Sequence, residues 1–208
     1  MVQIHPFRSF PSTVVAGVFD GDVLTELPFT AQKLRQVHGT EIVEVCSMGE
    51  DREGDGLLTN TPGVRLLIKT ADCIPLIFWD SSTGWIAAVH AGWRGLVADI
   101  VPKTIARLVE KGARAEDLQI GIGPSLGVEC AEFSEPFKEI PAPYHWAVGP
   151  DQHVDLWAIL ERQLSDAGVD MKKVEWMRTC TACDPHWFSW RRDKTLARLG
   201  TFIEIRVL

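Results

Sequence analysis

The sequence has no long apolar run. None of its hydrophobic segments approaches the about 20 residues that a helix needs to cross a bilayer. Residues 1–12 also lack the continuous apolar core of a secretion signal. These absences predict a cytoplasmic protein without a membrane partner.

Positive charge is also scarce. The formal net charge is −7, and the only adjacent pair of cations that stands out is Arg191 and Arg192. Because a phosphate backbone is bound by a broad basic face, this composition argues against a nucleic-acid partner. A small basic pocket is still compatible with it.

Disulfides, repeats and linkers are not indicated. The five cysteines are an odd number, which favours reduced thiols over a disulfide framework. At 208 residues and 46% hydrophobic composition, the chain is long enough to form its own core, and we predict a single domain over residues 1–208. Strand patterns cluster early and mix with single helices later, which predicts an α+β fold of mixed β-sheets flanked by helices.

The most informative stretch is ADCIPLIFWDSSTGWIAAVHAGWRG at 71–95. Two apolar runs, 74–79 and 85–89, are joined by a turn-like DSSTG, which predicts a β-hairpin. A hairpin brings the residue before its first strand close to the residue that ends its second. Cys73 and His90 are therefore expected to meet.

The remaining pattern supplies further elements. Apolar residues after Arg94 recur at helical spacing, which predicts a helix that ends at Gly112. If Asp99 caps this helix, Pro102 falls in its first turn; if the helix starts at Gly95, Pro102 should kink it. We also predict strands at 13–19, 41–45, 64–68, 118–122, 174–177 and 199–207, and helices at 128–137 and 151–167.

Three residues beside turns have the side chains of zinc ligands: His38, Cys73 and His90. Zinc binds thiolate and imidazole, and a catalytic zinc keeps one position open. Spacing alone leaves two alternatives, a Cys73–His90 nucleophile and base, or a buried thiol with hydrogen-bonded histidines. Asp72 and Asp55 are the nearest carboxylates in sequence, to exchange a proton or to orient a histidine.

Other candidate residues follow from charge and spacing. Arg94, Arg191 and Arg192 are the best candidates for contact with an anion. Cys180 and Cys183 have the spacing of a zinc half-site or a redox pair, but the sequence has no second such pair, and structural thiols are the alternative.

Five motifs together closely resemble the laccase-domain family, the bacterial YfiH-type group formerly called multicopper polyphenol oxidases. They are QVHG at 36–39, TADCIPL at 70–76, AVHAGWRG at 88–95, GIGPSLG at 121–127 and CTACDPHWFSWRRD at 180–193.

The resemblance implies one zinc per chain held by His38, Cys73 and His90, in a fold related to toxin deamidases. It implies phosphorolysis of adenosine, inosine or methylthioadenosine to the base and ribose 1-phosphate, with adenosine deamination beside it. Nucleoside and phosphate are thus the expected partners, and the oligomeric state is left open. Copper is less expected, because six histidines with no His-x-His pair do not suit a multicopper site.

Residue roles follow from that expectation. Arg94, with Arg191 or Arg192, is expected to bind phosphate, and Arg94 and Asp72 are the expected catalytic residues. Trp93 or Trp187 is expected to stack on the base.

The chain departs from the family pattern in its shorter N-terminal part, at Ser125, where a cysteine is common, and at Leu196-Ala197. The alternatives are a cysteine hydrolase or amidase, for example on muropeptides, a copper-dependent polyphenol oxidase, and a zinc-stabilised binding module closed by Cys180 or Cys183.

Overall fold

The computed structural model describes residues 2–207, and the strands of this part of the chain form three sheets. The strands are β1 (Ile4–Pro6), β2 (Val14–Phe19), β3 (Leu34–Arg35), β4 (Ile42–Glu44), β5 (Arg52–Glu53), β6 (Gly56–Thr59), β7 (Leu66–Thr70), β8 (Ile74–Trp79), β9 (Ile86–Ala91), β10 (Gln119–Ile122), β11 (Val174–Trp176) and β12 (Leu199–Ile205).

The largest sheet has six strands in the order β11-β10-β8-β9-β6-β4. Its centre is the predicted hairpin, which is confirmed: β8 and β9 pair antiparallel, with Phe78 opposite Ala87. The second strand runs further than predicted, to Ala91, so that His90 lies within the strand and opposite Pro75.

A second sheet has four antiparallel strands in the order β1-β2-β12-β7. The short strands β3 and β5 pair parallel to each other as a separate ribbon. Strands β1, β3, β5 and β6 were not predicted, because the first three are only two or three residues long and β6 begins in a stretch that reads as a loop.

The two larger sheets pack face to face, and this explains why their central strands are apolar on both sides. Ile77 and Ala88 of the six-stranded sheet share one core cluster with Val18 and Ile68 of the four-stranded sheet. The intervening residues of the hairpin, such as Phe78, face a second core under the helices. A strand buried on both faces reads as a continuous apolar run.

The helices are α1 (Trp93–Val97), α2 (Ile100–Glu110), α3 (Pro136–Glu139), α4 (Leu156–Asp166) and α5 (Trp190–Asp193). The apolar faces of α1, α2 and α4 join the core on the outer side of the six-stranded sheet. The helix after Arg94 is divided in two, since Asp99 adopts a left-handed φ of 66° between α1 and α2. Pro102 therefore falls in the first turn of α2, as the Asp99 alternative predicted.

Two helix predictions need correction. The expected helix at 128–137 is wrong: the structure has one 3₁₀ turn, Val128–Cys130, and the short α3. The helix expected at 151–167 begins only at Leu156, where the Asp155 carboxylate accepts a hydrogen bond from the Ala158 amide at 2.9 Å. Isolated bridges hold the residues before it in extended pairs.

The predicted fold class, mixed sheets flanked by helices, is confirmed. Within residues 2–207, no helix has both the length and the apolar character needed to cross a membrane.

Candidate metal centre

The loop between β3 and β4 is shaped by a single buried carboxylate, that of Asp55. Its oxygens accept hydrogen bonds from the backbone amides of Val37, His38 and Gly39 at 3.3, 3.0 and 2.7 Å. His38 adopts a left-handed φ of 61° at the tip of this turn. The three N–H groups thus converge on one anion, which fixes the loop and directs the exposed His38 ring.

The same carboxylate orients His90. Nδ1 of His90 lies 2.7 Å from Oδ1 of Asp55, and the backbone amide of His90 donates to the Asp55 carbonyl at 2.7 Å. With Nδ1–H directed at the carboxylate, Nε2 is the nitrogen available to bind a cation. Of the two sequence-based roles for Asp55, these contacts match that of orienting a histidine.

Cys73 completes the cluster from the start of the hairpin. Its Sγ lies 3.9 Å from Nε2 of His38. The His38 and His90 rings meet edge to face, with centroids 4.8 Å apart. One ligand atom from each of the three residues lies within 4.8 Å of the other two.

Gly92 makes room for this cluster. A Cβ at that position would lie 2.6 Å from Cδ2 of His38 and 3.3 Å from Sγ of Cys73. Any side chain there would displace the His38 ring. The first glycine of the AVHAGWRG motif, Gly92, is therefore required by the close approach of the three side chains.

The electrostatics favour a charged pair when no cation is bound. Burial alone would raise the pKa of the Cys73 thiol, but hydrogen bonds with His38 and His90 lower it to about 6. Burial alone would lower the pKa of His90, but hydrogen bonds with Asp55 and Cys73 raise it to about 9. The pKa of Asp55 itself lies below its usual value: burial opposes this, and the hydrogen bonds from His90, Gly39 and His38, with the charge of His90, together outweigh burial.

The cluster lies at an open cavity of about 1060 Å³. Its walls come from the end of β7, the start of β8, helix α1 and the segment that contains α5. Among the lining residues are the cations Arg35, Lys69, Arg94, Arg191 and Arg198. A cavity with cations and a soft-ligand cluster suits an anionic or strongly polar ligand.

The chain matches a family model described as multi-copper polyphenol oxidoreductase laccase over residues 22–206. It belongs to this family. A Deinococcus radiodurans relative named purine nucleoside phosphorylase is 36% identical over 170 residues, or 77% of this chain and 64% of the relative's length. Purine nucleoside phosphorylase YfiH of Shigella flexneri is 32% identical over 188 residues, which are 85% of this chain and 74% of the relative's length. The chain thus spans less than two thirds of the first of these relatives.

Solved structures of similar proteins share the fold. Bacillus licheniformis YfiH matches with a TM-score of 0.80 at 22% identity, over 93% of each chain. YlmD from Geobacillus stearothermophilus matches with a TM-score of 0.78 at 25% identity, over 97% of this chain and 94% of its own. The two stacked sheets with outer helices are therefore the fold of the laccase-like family.

The donor set suits one metal ion rather than several. One thiolate and two imidazoles are the ligand types of a zinc site with an open position. Within residues 2–207, the other two groups of side chains that could hold a metal do not include these residues. Although the family name refers to several coppers, only His38 and His90 of the described histidines line the cavity.

Two predicted anion contacts lie at the cavity. The guanidinium of Arg94 lies over the Trp93 ring, with Cζ 4.2 Å from the centroid, and both residues line the wall. No carboxylate within residues 2–207 forms an ion pair with Arg94, whereas Arg35 is paired with Glu53 at 2.8 Å. Arg191 also lines the cavity, and its side chain donates to the Glu132 carbonyl at 2.8 Å.

Arg192, the third predicted anion contact, lies away from the other two, and its role stays a prediction. Its guanidinium donates to the carbonyls of Thr181 and Trp187 at 2.7 and 2.9 Å and pairs with Asp193 at 2.6 Å. It does not line the cavity within the described chain. These bonds engage the Arg192 side chain in holding together the loop at 181–193.

Asp72 is bound on both oxygens. Oδ1 accepts from the Thr181 hydroxyl and Oδ2 from the Arg191 backbone amide, each at 2.6 Å. Asp72 adopts a left-handed φ of 84° beside Cys73. It therefore connects the start of the hairpin to the loop that carries Arg191, and its predicted catalytic role stays a prediction.

Trp187 was the other residue expected to stack on the base. It packs in the core between the sheets and against the His5 ring, and it is not among the described residues that line the cavity. Sequence reasoning missed the exposed Trp190 and the half-buried Lys69, which do line it. It also missed Phe133, which meets the Trp93 ring edge to face at 5.4 Å. Trp190 lies beside Arg191 in the last motif, which was the available signal.

Proposed function

We propose that the protein is a zinc-dependent purine nucleoside phosphorylase that also deaminates adenosine. Phosphate would attack the anomeric carbon of adenosine, inosine or methylthioadenosine, and the glycosidic bond would break. The base would leave with a proton on its nitrogen, and the sugar would become ribose 1-phosphate or, from methylthioadenosine, methylthioribose 1-phosphate. The observation that carries the proposal is the convergence of His38, Cys73 and His90 at a cavity that also contains Arg94. The names of the relatives support the reaction class.

Phosphate binding is assigned to Arg94, with Arg191 as a second contact. The Arg94 guanidinium lies over the Trp93 ring and has no ion-pair partner within residues 2–207, so that its charge is available to an anion. Guanidinium binds phosphate oxygens in a bidentate manner. An oriented phosphate near the sugar supplies both proximity and negative charge to the oxocarbenium-like transition state.

Purine binding is assigned to the aromatic wall. Trp93 is held by Phe133 on one side and carries Arg94 on its face. Trp190 is exposed at the same cavity. A flat base would stack on such rings, which would place its sugar toward the three-ligand cluster.

Zinc is assigned to His38, Cys73 and His90. When bound, it supplies positive charge beside the reacting groups and acidifies water, the property that deamination requires. Asp55 fixes both histidines for this role. Asp72 would act through Arg191, whose backbone it holds, or as the predicted proton carrier.

The test gives zinc-loaded protein adenosine with and without phosphate and separates the products. Adenine and ribose 1-phosphate are expected only when phosphate is present, and inosine without phosphate would report deamination. Failure to release adenine from zinc-loaded protein, or release that does not depend on phosphate, would refute the phosphorylase.

A second candidate is a cysteine hydrolase or amidase, for example on muropeptides. It is favoured by the arrangement of Cys73, His90 and Asp55, in which the carboxylate orients a base beside a thiol of lowered pKa. The two candidates differ in the accessibility of the thiol. Rapid alkylation of Cys73 in zinc-loaded protein, with loss of amide hydrolysis, would favour the hydrolase, whereas protection of Cys73 by zinc would favour the phosphorylase.

A further inference from the structure

A second cluster of soft ligands lies outside the cavity lining. The Sγ atoms of Cys130, Cys180 and Cys183 all lie within 4.8 Å of one another, and those of Cys130 and Cys183 are 3.4 Å apart. Cys130 comes from the 3₁₀ turn after the glycine-rich loop, 53 residues before Cys183. The sequence offered only the Cys-x-x-Cys pair, and folding brings the third thiol to it.

The sulfur atoms are close enough together to share one tetrahedral cation. Zinc–sulfur bonds of about 2.3 Å at a tetrahedral angle place sulfurs about 3.8 Å apart. A disulfide would need sulfurs about 2.05 Å apart, and all five cysteines are free. The Cys130–Cys183 separation of 3.4 Å is slightly below this spacing, and the 4.8 Å limit on the other two separations lies above it.

Cys180 is surrounded by backbone donors. The Gly127 amide donates to its Sγ at 3.2 Å, and the turn closes with the Asp184 amide donating to the Cys180 carbonyl at 3.0 Å. A Cβ at Gly127 would lie 3.1 Å from that of Cys180. N–H groups directed at sulfur stabilise a thiolate, and a glycine is needed for the approach.

The surroundings act differently on the pKa values of the three thiols. Hydrogen bonds between the Cys183 thiol and its neighbours Cys130 and Cys180, in which Cys183 keeps its proton, raise the pKa of Cys183 to about 12. Burial would also raise the pKa of Cys180, but amide donors led by Gly127 lower it. Like charges in one site raise each other's pKa, and a bound divalent cation reverses this effect.

We propose that Cys130, Cys180 and Cys183 hold a second zinc ion. Three thiolates form a soft donor set that selects zinc over hard cations. Within residues 2–207, no further histidine, cysteine or carboxylate belongs to this group. A zinc ion at this site would have three protein ligands and one further position for water. The proposal does not depend on the proposed function.

The three-thiol cluster lies in the loop that connects to Asp72 and Arg191 at the cavity. Thr181, between two of the cysteines, donates to Asp72 at 2.6 Å, and the Arg192 guanidinium donates to the Thr181 carbonyl at 2.7 Å. Asp72 in turn accepts from the Arg191 amide. A cation on the three thiols would fix the loop that positions Arg191 at the cavity.

Zinc content of single variants tests the site. Wild type and Cys46→Ser, an exposed cysteine outside both clusters, should bind about two zinc ions per chain after dialysis, and Cys183→Ser and Cys73→Ser about one each. Far-ultraviolet circular dichroism checks that each variant is folded. If Cys183→Ser retains the zinc content of wild type, the second site is refuted while the catalytic assignment stands.

A cobalt measurement covers the case in which Cys183→Ser does not fold. Cys73→Ser protein loaded with Co²⁺ should show thiolate-to-cobalt charge-transfer absorption, because its soft site is intact. Zinc should displace the cobalt and remove the band. Absence of the band, or a Cys130–Cys183 disulfide in the protein purified under reducing conditions, would overturn the proposal.

Discussion

Asp55 and His90 are held together twice, by a contact of 2.7 Å between Oδ1 and Nδ1 and by the backbone amide of His90 on the Asp55 carbonyl. The same carboxylate accepts three amides of the loop that carries His38. One buried side chain thus positions two of the three candidate ligands.

The first prediction concerns that carboxylate. Asp55→Asn should lower zinc affinity at the cavity site by about 10–100-fold, because partners that orient a ligand contribute this much. Competition with a chromogenic chelator in a Cys183→Ser background measures it. Asp80→Asn is the control: this buried carboxylate accepts from Ser82 and Thr83 in the hairpin turn, so the change should lower stability but leave zinc affinity unaltered. Equal zinc affinity in both variants would contradict the role of Asp55.

The second prediction concerns the space beside the cluster. Gly92→Ala forces a methyl group to 2.6 Å from the His38 ring. Overpacking of this kind costs about 1–3 kcal/mol, which is about 5- to 150-fold in zinc affinity if the bound state bears it alone. Zinc titration of the folded variant measures this loss. Gly49→Ala, where a Cβ would meet nothing within 4 Å, should bind zinc as wild type does.

The third prediction concerns phosphate. Arg94→Ala should raise the KM for phosphate by about 10- to 100-fold, the loss expected for a charge-assisted hydrogen bond. Zinc content should be unchanged, since Arg94 is not in the metal cluster. Arg162→Ala, which removes an exposed ion pair with Asp166 on α4, is the matched control. A phosphate KM that is equal in both variants would remove Arg94 from the proposed site.

The fourth prediction concerns pH in the zinc-free protein. The pKa of Cys73 is lowered to about 6, so the stabilisation from its thiolate is present above the ordinary thiol pKa and is lost as the pH falls through about 6. The pKa of His90 is raised to about 9, so its contribution is present below the ordinary imidazole pKa and is lost as the pH rises through about 9.

Iodoacetamide and peptide mass spectrometry measure the thiolate directly. The alkylation rate of Cys73 in chelator-treated protein should rise with pH and reach half its plateau near pH 6. His90→Gln should move this midpoint upward, because one of the groups that lowers the pKa is gone. An unchanged midpoint would contradict the Cys73–His90 interaction.

The central hairpin could be predicted because its strands are continuous apolar runs separated by a turn-rich segment. That spacing also placed Cys73 and His90 together. His38 was grouped with them by residue type beside a turn and by the family motifs, but no spacing predicted its contact, since its position depends on three amides that converge on Asp55.

Other features depend on contacts that no local pattern contains. Cys130 meets Cys183 across 53 residues of sequence, and Asp72 meets Arg191 across 119. Arg192 was a reasonable anion contact by charge, but it is occupied by carbonyls of its own loop. The helix expected at 128–137 does not form. This segment instead contains a 3₁₀ turn and an isolated β-bridge, so its apolar residues do not share one helical face.

The most direct test of the account measures zinc content and phosphate-dependent adenine release on the same preparations of wild type, Cys46→Ser and Cys73→Ser. The account predicts that Cys73→Ser loses about one zinc ion per chain and its adenine release together, while Cys46→Ser retains both. Undiminished release of adenine by Cys73→Ser, with or without its metal, would contradict it.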